Sequence, residues 1–278
     1  SLQYGFSATD ELKLIEVAAS ECTTSEVAVL LIPGIGTKQD LQNAVKAGAK
    51  MVRVATHVTE ADVAAQHIQL ARELGLKTAG FLMMAHMAPV EKVVEQAKLF
   101  ESYGAEIVYV TDSAGAMLPQ DVTARITALR EELRCEIGFH AHNNLSMAMA
   151  NTIAAVEAGA TFIDGSMRAL GAGAGNTQTE VMVAVLEKMG YHTGIDLYQL
   201  MNTANHVIAP LMQQPQEITG GSLILGHAGV YSSFLLHAQK AAQQYGIDER
   251  DILMKLGEMR AVGGQEDLIY EVAQTLAR

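Results

Sequence analysis

Apolar residues in this chain fall into two alternating patterns. Short, nearly unbroken apolar runs occupy 27–32, 51–57, 78–84, 107–113, 135–144 and 162–166. Between them, apolar positions recur every three or four residues. Runs of the first kind suit strands buried on both faces of a parallel sheet, and the spacing of the second kind suits amphipathic helices. A helix is expected over 10–22, with Thr9-Asp10 as its start signal. Gly48, Gly75 and Gly104 each close a helical stretch just before a strand, and Gly159 follows about two such periods later, as left-handed helix-ending glycines do. A βα repeat of this kind predicts an α/β protein with a parallel sheet and outer helices, either a (β/α)₈ TIM barrel or a doubly wound sheet.

The repeat stops near residue 196. Helical patterns follow over 197–212, from a segment at 226–234 on to about 245, and over 248–257 and 265–277. Residues 1–200 are therefore expected to form a catalytic barrel. Residues 201–278 should form a helical domain for partner contact and for covering the barrel mouth.

Polar residues at the strand ends favour the barrel. Arg53, Thr56 and His57, then His86, then Thr111, Asp112 and Ser113, then His140, His142, Asn143 and Asn144, then Asp164, Ser166 and Arg168 close successive runs. Barrel enzymes gather their chemistry at that end of the strands. No Gly-x-Gly-x-x-Gly follows the first strand, so the dinucleotide-binding alternative lacks its fingerprint. The glycines of 171–176 are read as backbone allowed close to a ligand, with a tight strand-to-helix turn as the other possibility. Six strands are counted where eight close a barrel. Two leading βα units are thus expected to be missing before Ser1, which would itself lie in an interconnecting loop.

Composition narrows the chemistry. No long uncharged apolar run and no signal peptide is visible in the 278 residues, so a soluble, cytoplasmic protein is expected. A net charge of −12 disfavours nucleic acid or an anionic membrane as partner and leaves small anions open. Cys22 and Cys135 have no metal or redox spacing and are read as reduced, buried residues.

The sharpest candidate is the His-x-His pair. Side chains two apart on a strand share a face, so His140 and His142 would aim two imidazole nitrogens at one divalent metal. A buried histidine beside a surface one is the competing reading.

With this pair and Gly171-x-Gly-x-Gly-Asn176 after the last strand, the chain resembles the metal-dependent pyruvate aldolases of the HMG-CoA lyase-like barrel family. More narrowly, Leu31-Ile-Pro-Gly-Ile-Gly36, Val52-Arg-Val-Ala-Thr-His57, Gly80-Phe-Leu-Met-Met84, Thr111-Asp-Ser113, Gly229-Val-Tyr-Ser-Ser-Phe234 and Gly263-Gly-Gln-Glu-Asp267 are similar to the 4-hydroxy-2-oxovalerate aldolase family, over the whole chain. The resemblance implies metal-dependent retro-aldol cleavage of 4-hydroxy-2-oxopentanoate to pyruvate and acetaldehyde, in meta-cleavage catabolism of aromatic compounds. It implies a divalent ion, Mn²⁺ foremost, held by His140, His142 and an aspartate of the first strand. It implies that Tyr231 helps position the substrate, an amphipathic tyrosine packed at a helix start being the other reading; Ser113 is a candidate to bond the pyruvate carboxylate or else caps the strand end, and Asn176 is an extra ligand, a group supporting one, or a turn residue. An acylating acetaldehyde dehydrogenase is the implied partner, and an oligomer the implied assembly. In the family, the metal Asp, the enolate-stabilising Arg and the base His come from an Arg-Asp-Gly-x-x-His-type stretch, and this chain contains no Arg-Asp-Gly.

Schiff-base chemistry would need a lysine at a strand's carboxyl end, whereas Lys50 and Lys77 stand where strands begin. Two alternatives remain open: an acetyl-CoA-dependent Claisen-type synthase acting on a 2-oxo acid, and a non-catalytic partner-binding fragment.

Overall fold

A computed structural model describes residues 9–278. The loop expected at the start of the chain lies outside the described residues. By density of internal contacts, the chain divides into two compact units, residues 1–110 with 128–137 and residues 111–127 with 138–278. Six strands follow one another in sequence order in the sheet: β1 (Ala28–Leu31), β2 (Met51–His57), β3 (Lys77–Met83), β4 (Ile107–Asp112), β5 (Glu136–Ala141) and β6 (Phe162–Ile163). The pairings β1 with β2, β2 with β3, β3 with β4 and β5 with β6 are all parallel. The α/β class and the parallel sheet are as expected.

In the first unit, α1 (Glu11–Glu21), α2 (Lys38–Lys46), α3 (Ala65–Glu73) and α4 (Val90–Tyr103) alternate with the strands. Asp10 caps α1, its carboxylate accepting from the Lys13 N–H at 3.0 Å. Thr37 and Asp40 form a reciprocal capping box on α2. Gly48, Gly75 and Gly104 have positive φ where these helices give way to the next strand. Val52, Val54, Ile68, Leu82, Phe100 and Ile107 are completely buried. Removing a side chain such as that of Phe100 from water stabilises the fold by about 1.5–3 kcal/mol.

The cysteines differ from expectation. Both are free, but Cys22 is exposed and Cys135 only half-buried. Cys22 ends α1, a helix with no buried residue, so nothing covers it. Burial, followed by the Glu101 carboxylate, pushes the Cys135 thiol up to about 12.

The second unit holds α6 (Ala148–Glu157), α7 (Thr179–Lys188), α8 (Leu197–Thr203), α9 (Gly220–Ala228), α10 (Leu235–Tyr245), α11 (Glu249–Glu258) and α12 (Asp267–Leu276), while α5 (Pro119–Glu132) begins in it. Leu225, Phe234, Ile252, Leu253, Leu256 and Ile269 of the later helices share one apolar core. Helix α9 is not among the helices expected from the sequence, which places the segment leading into the next helix at 226–234. Its start is secured by a capping box between Thr219 and Ser222. Gly226 serves close packing there, because a Cβ would stand 2.7 Å from Leu145 Cγ and 3.0 Å from the Gly115 carbonyl oxygen. No helix among the described residues is long and apolar enough to cross a membrane.

Candidate metal centre and active site

The predicted site residues of the second unit converge. His140 is the penultimate residue of β5, and His142 stands one residue past its end, bridging to Asn176 in an isolated antiparallel pair. The two rings lie 5.4 Å apart between centroids. Each ring is anchored at Nδ1, His140 against Asp164 Oδ2 at 2.9 Å and His142 against the Ala172 carbonyl at 3.3 Å. An imidazole held at Nδ1 ligates through Nε2, and a carboxylate or carbonyl on the far nitrogen is the usual support of a metal-ligating histidine. Burial pushes His142 down to about 3, with the nearby His140 adding to it. His142 is therefore neutral at pH 7, the form a metal requires.

The donor set suits a divalent ion with nitrogen and oxygen ligands. Beside the two imidazoles, the Asn176 Oδ1 is buried without a hydrogen-bond partner, while its Nδ2 donates to the Leu170 carbonyl at 3.3 Å. Among the described residues no group of three or more His, Cys, Asp or Glu has metal-binding geometry. At this point the described residues place two imidazoles and one unused amide oxygen as candidate donors.

Packing explains two glycines of the 171–176 run. A Cβ on Gly173 would lie 2.4 Å from Asn144 Oδ1, and one on Gly175 would lie 1.9 Å from the Ala169 carbonyl oxygen. Both residues also have positive φ, 64° and 87°. Gly173 and Gly175 thus serve a tight turn packed on Asn144 and Ala169, as the turn reading requires.

Ser113 is buried just past β4, and its carbonyl accepts from the Ser232 hydroxyl at 2.7 Å and the Ser232 N–H at 3.1 Å. Tyr231 precedes Ser232, so the structure brings the tail motif to the end of β4. The Tyr231 ring meets Phe234 edge-on at 5.9 Å, and a Cβ on Gly263 would stand 3.2 Å from its Cε1. Burial raises the Tyr231 phenol, the Ser233 hydrogen bond opposes that, and Glu266 adds to the rise. Asp112 is fully buried, accepts from the Ala116 and Met117 N–H groups at 3.0 and 3.1 Å, and is pushed up to about 6 by burial.

Some other strand-end groups have contacts of their own. Arg168 bonds Asn205 at 2.9 Å. Arg53, Thr56, His57 and His86 belong to the first unit. There the Arg53 guanidinium lies 4.0 Å from the Phe81 ring centroid, and His57 Nδ1 pairs with Thr59 Oγ1 at 2.8 Å. The sequence reading placed Asp164 and Asn144 at strand ends but gave neither a role. Asp164 supports His140, and Asn144 is completely buried among three chain segments. The one available signal was an Asn pair directly after the His-x-His motif.

Comparison with known proteins identifies the family. The profile of the HMGL-like family matches residues 2–207, and that of the DmpG-like communication domain matches residues 216–278. The chain is 66% identical over 278 residues to a 4-hydroxy-2-oxovalerate aldolase of Bacillus thuringiensis, covering all of this chain and 82% of that one. It is 64% identical over 277 residues to that of Geobacillus thermodenitrificans, at 100% and 81% coverage, and 57% identical to that of Carboxydothermus hydrogenoformans, at 100% and 83%. Among solved structures, the carboxyl transferase domain of Rhizobium etli pyruvate carboxylase superposes with a TM-score of 0.83 over 97% of this chain and 50% of that one. At 17% identity, that likeness bears on the fold alone. The chain belongs to the HMGL-like family and, within it, to the 4-hydroxy-2-oxovalerate aldolases.

Proposed function

We infer that this chain is a class II pyruvate aldolase, an aldehyde-lyase that cleaves 4-hydroxy-2-oxopentanoate to pyruvate and acetaldehyde in the meta-cleavage catabolism of aromatic compounds. The observation that carries this reading is identity of 57–66% along the whole chain to proteins of that name. In the reaction the 4-hydroxyl gives up its proton, the C3–C4 bond breaks, and the electron pair stays on the pyruvate fragment as an enolate that is then protonated at C3. A divalent ion, Mn²⁺ in our reading, supplies Lewis-acid stabilisation of the enolate oxygen. His140 and His142 hold it, with Asp164 and the Ala172 carbonyl fixing their rings. Asn176 Oδ1 is the further oxygen donor on this chain. Tyr231 positions the substrate and keeps its phenol proton, since burial raises it. Ser113 bonds the pyruvate carboxylate.

The barrel needs eight strands, and the remaining metal ligand, the base and the enolate-stabilising arginine belong to two βα units outside these 278 residues. Support comes from the six strands in the sheet, from Leu30 of β1 standing 59% exposed, and from the 81–83% of the relatives' length that the chain spans. The catalytic domain covers 1–200. The helices of 201–278 contact an acylating acetaldehyde dehydrogenase, in keeping with the communication-domain match. The enzyme works in the cytoplasm as an oligomer, without nucleic acid or membrane.

The test is pyruvate release from 4-hydroxy-2-oxopentanoate by the complete enzyme, with Mn²⁺ added and with metal chelated. Release that requires metal is expected. Metal-independent release, or turnover only with acetyl-CoA and a 2-oxo acid, would overturn the reading.

A further inference from the structure

Asn144 lies two residues past His142, is completely buried, and joins three segments that are far apart in sequence. Its Nδ2 donates to the Ala114 carbonyl at 2.8 Å and to the Ser232 hydroxyl at 2.9 Å, and its Oδ1 accepts from the Ala174 N–H at 2.8 Å. Chemistry sets the direction of the amide: a carbonyl at one end needs a donor, and an N–H at the other needs an acceptor. The Ser232 hydroxyl accepts from Asn144 and donates onward to the Ser113 carbonyl at 2.7 Å, so the bonds form a chain. Gly173 packs its backbone against the amide, since a Cβ there would stand 2.4 Å from Oδ1.

Two of these segments end at site residues. Ala174 belongs to the turn whose Ala172 carbonyl holds His142 Nδ1 at 3.3 Å. Ser232 follows Tyr231 directly. One buried side chain therefore stands between the support of a proposed metal ligand and the tail tyrosine.

We propose that Asn144 is a positioning residue that couples Tyr231 to the turn supporting His142, so that a displacement of the tail at Ser232 is felt at residues 172–175. The proposal rests on the aldolase reading only for the roles of His142 and Tyr231; the coupling itself stands on the hydrogen bonds. A physical warrant for coupling is an effect at one segment from a change at the other, and hydrogen exchange reads this segment by segment.

The experiment uses the complete Mn²⁺-loaded enzyme and compares Ser232→Ala and Asn144→Asp with wild type. Ser232→Ala removes the link on the tail side and leaves Asn144 intact. Exchange is expected to quicken about fivefold, the weight of one hydrogen bond, at 229–235 and also at 172–176, where nothing was changed. Asn144→Asp keeps the acceptor for Ala174 and loses both donors. It should lower kcat by about 10- to 100-fold through misplacement. Combined with Tyr231→Phe, it should cause no further loss. Faster exchange confined to 229–235, or rate losses that multiply, would each overturn the proposal. Absence of metal-dependent pyruvate release in wild type would instead sink the aldolase reading, and the exchange data would still decide the coupling.

Discussion

In the first unit, His57 is held by Thr59, two residues further along, and Arg53 lies over Phe81 of the neighbouring strand. In the second, His140 meets Asp164, 24 residues on, and His142 meets the carbonyl of Ala172, 30 residues on. The residue types at the strand ends are similar, yet the outcomes are not. A partner two residues away orients a ring against its own backbone. A partner 24 to 30 residues away demands loop closure, and once made it locks two segments into one geometry. In the proposed metal centre, the groups at Nδ1 come from distant segments, and they fix both rings.

The most damaging result for this contrast would be an indifferent His140. His140→Ala should lose metal and lower pyruvate release by on the order of 10³-fold or more, since several kcal/mol of charge stabilisation go with the ion. His57→Ala should bind metal as wild type does, and calorimetric titration of Mn²⁺ into both variants decides. Asp164 sharpens the point, because Asp164→Ala should weaken metal binding by about 10- to 100-fold and Asp164→Asn by less, as the amide oxygen still accepts from Nδ1–H. Unchanged affinity in both would reduce Asp164 to a surface partner. Tyr231→Phe should cost about tenfold in turnover, or loosen control over the aldehyde, with metal fully retained. Loss of metal in that variant would move Tyr231 from substrate to ligand support.

The smallest effect belongs to the thiols of the first unit. A thiol reagent at pH 8 should modify one cysteine in the native chain and two after denaturation, because Cys22 is exposed while Cys135 is held near 12. Two fast thiols in the native protein would contradict the burial of Cys135.

Much of the fold was legible in the chain. The strand expected at 51–57 is β2 to the residue, and helix 10–22 appears as Glu11–Glu21 with Asp10 as its cap. Gly48, Gly75 and Gly104 mark helix ends as predicted. These features are local, set by side-chain periodicity and backbone preference over a few residues. The strand over 162–166 shrank to Phe162–Ile163, with Ser166 bridging instead to Gln178. Helix α9 was hidden for a related reason: Gly221 and Gly226 look like breakers until Leu235 and Leu145 are seen packed against them.

The pairing of His140 with His142 followed from strand alternation, a period-two rule that needs no knowledge of the rest of the chain. Everything that turns the pair into a centre lies elsewhere: Asp164 and Ala172 behind the rings, the unused oxygen of Asn176, and Asn144 gathering Ala114, Ala174 and Ser232. Asn144 and Ser232 are 88 residues apart, and no local pattern encodes such a bond. Periodicity acts through the chain's own backbone and can be read along it, whereas a buried hydrogen bond exists only once packing has excluded water and brought distant partners within about 3 Å.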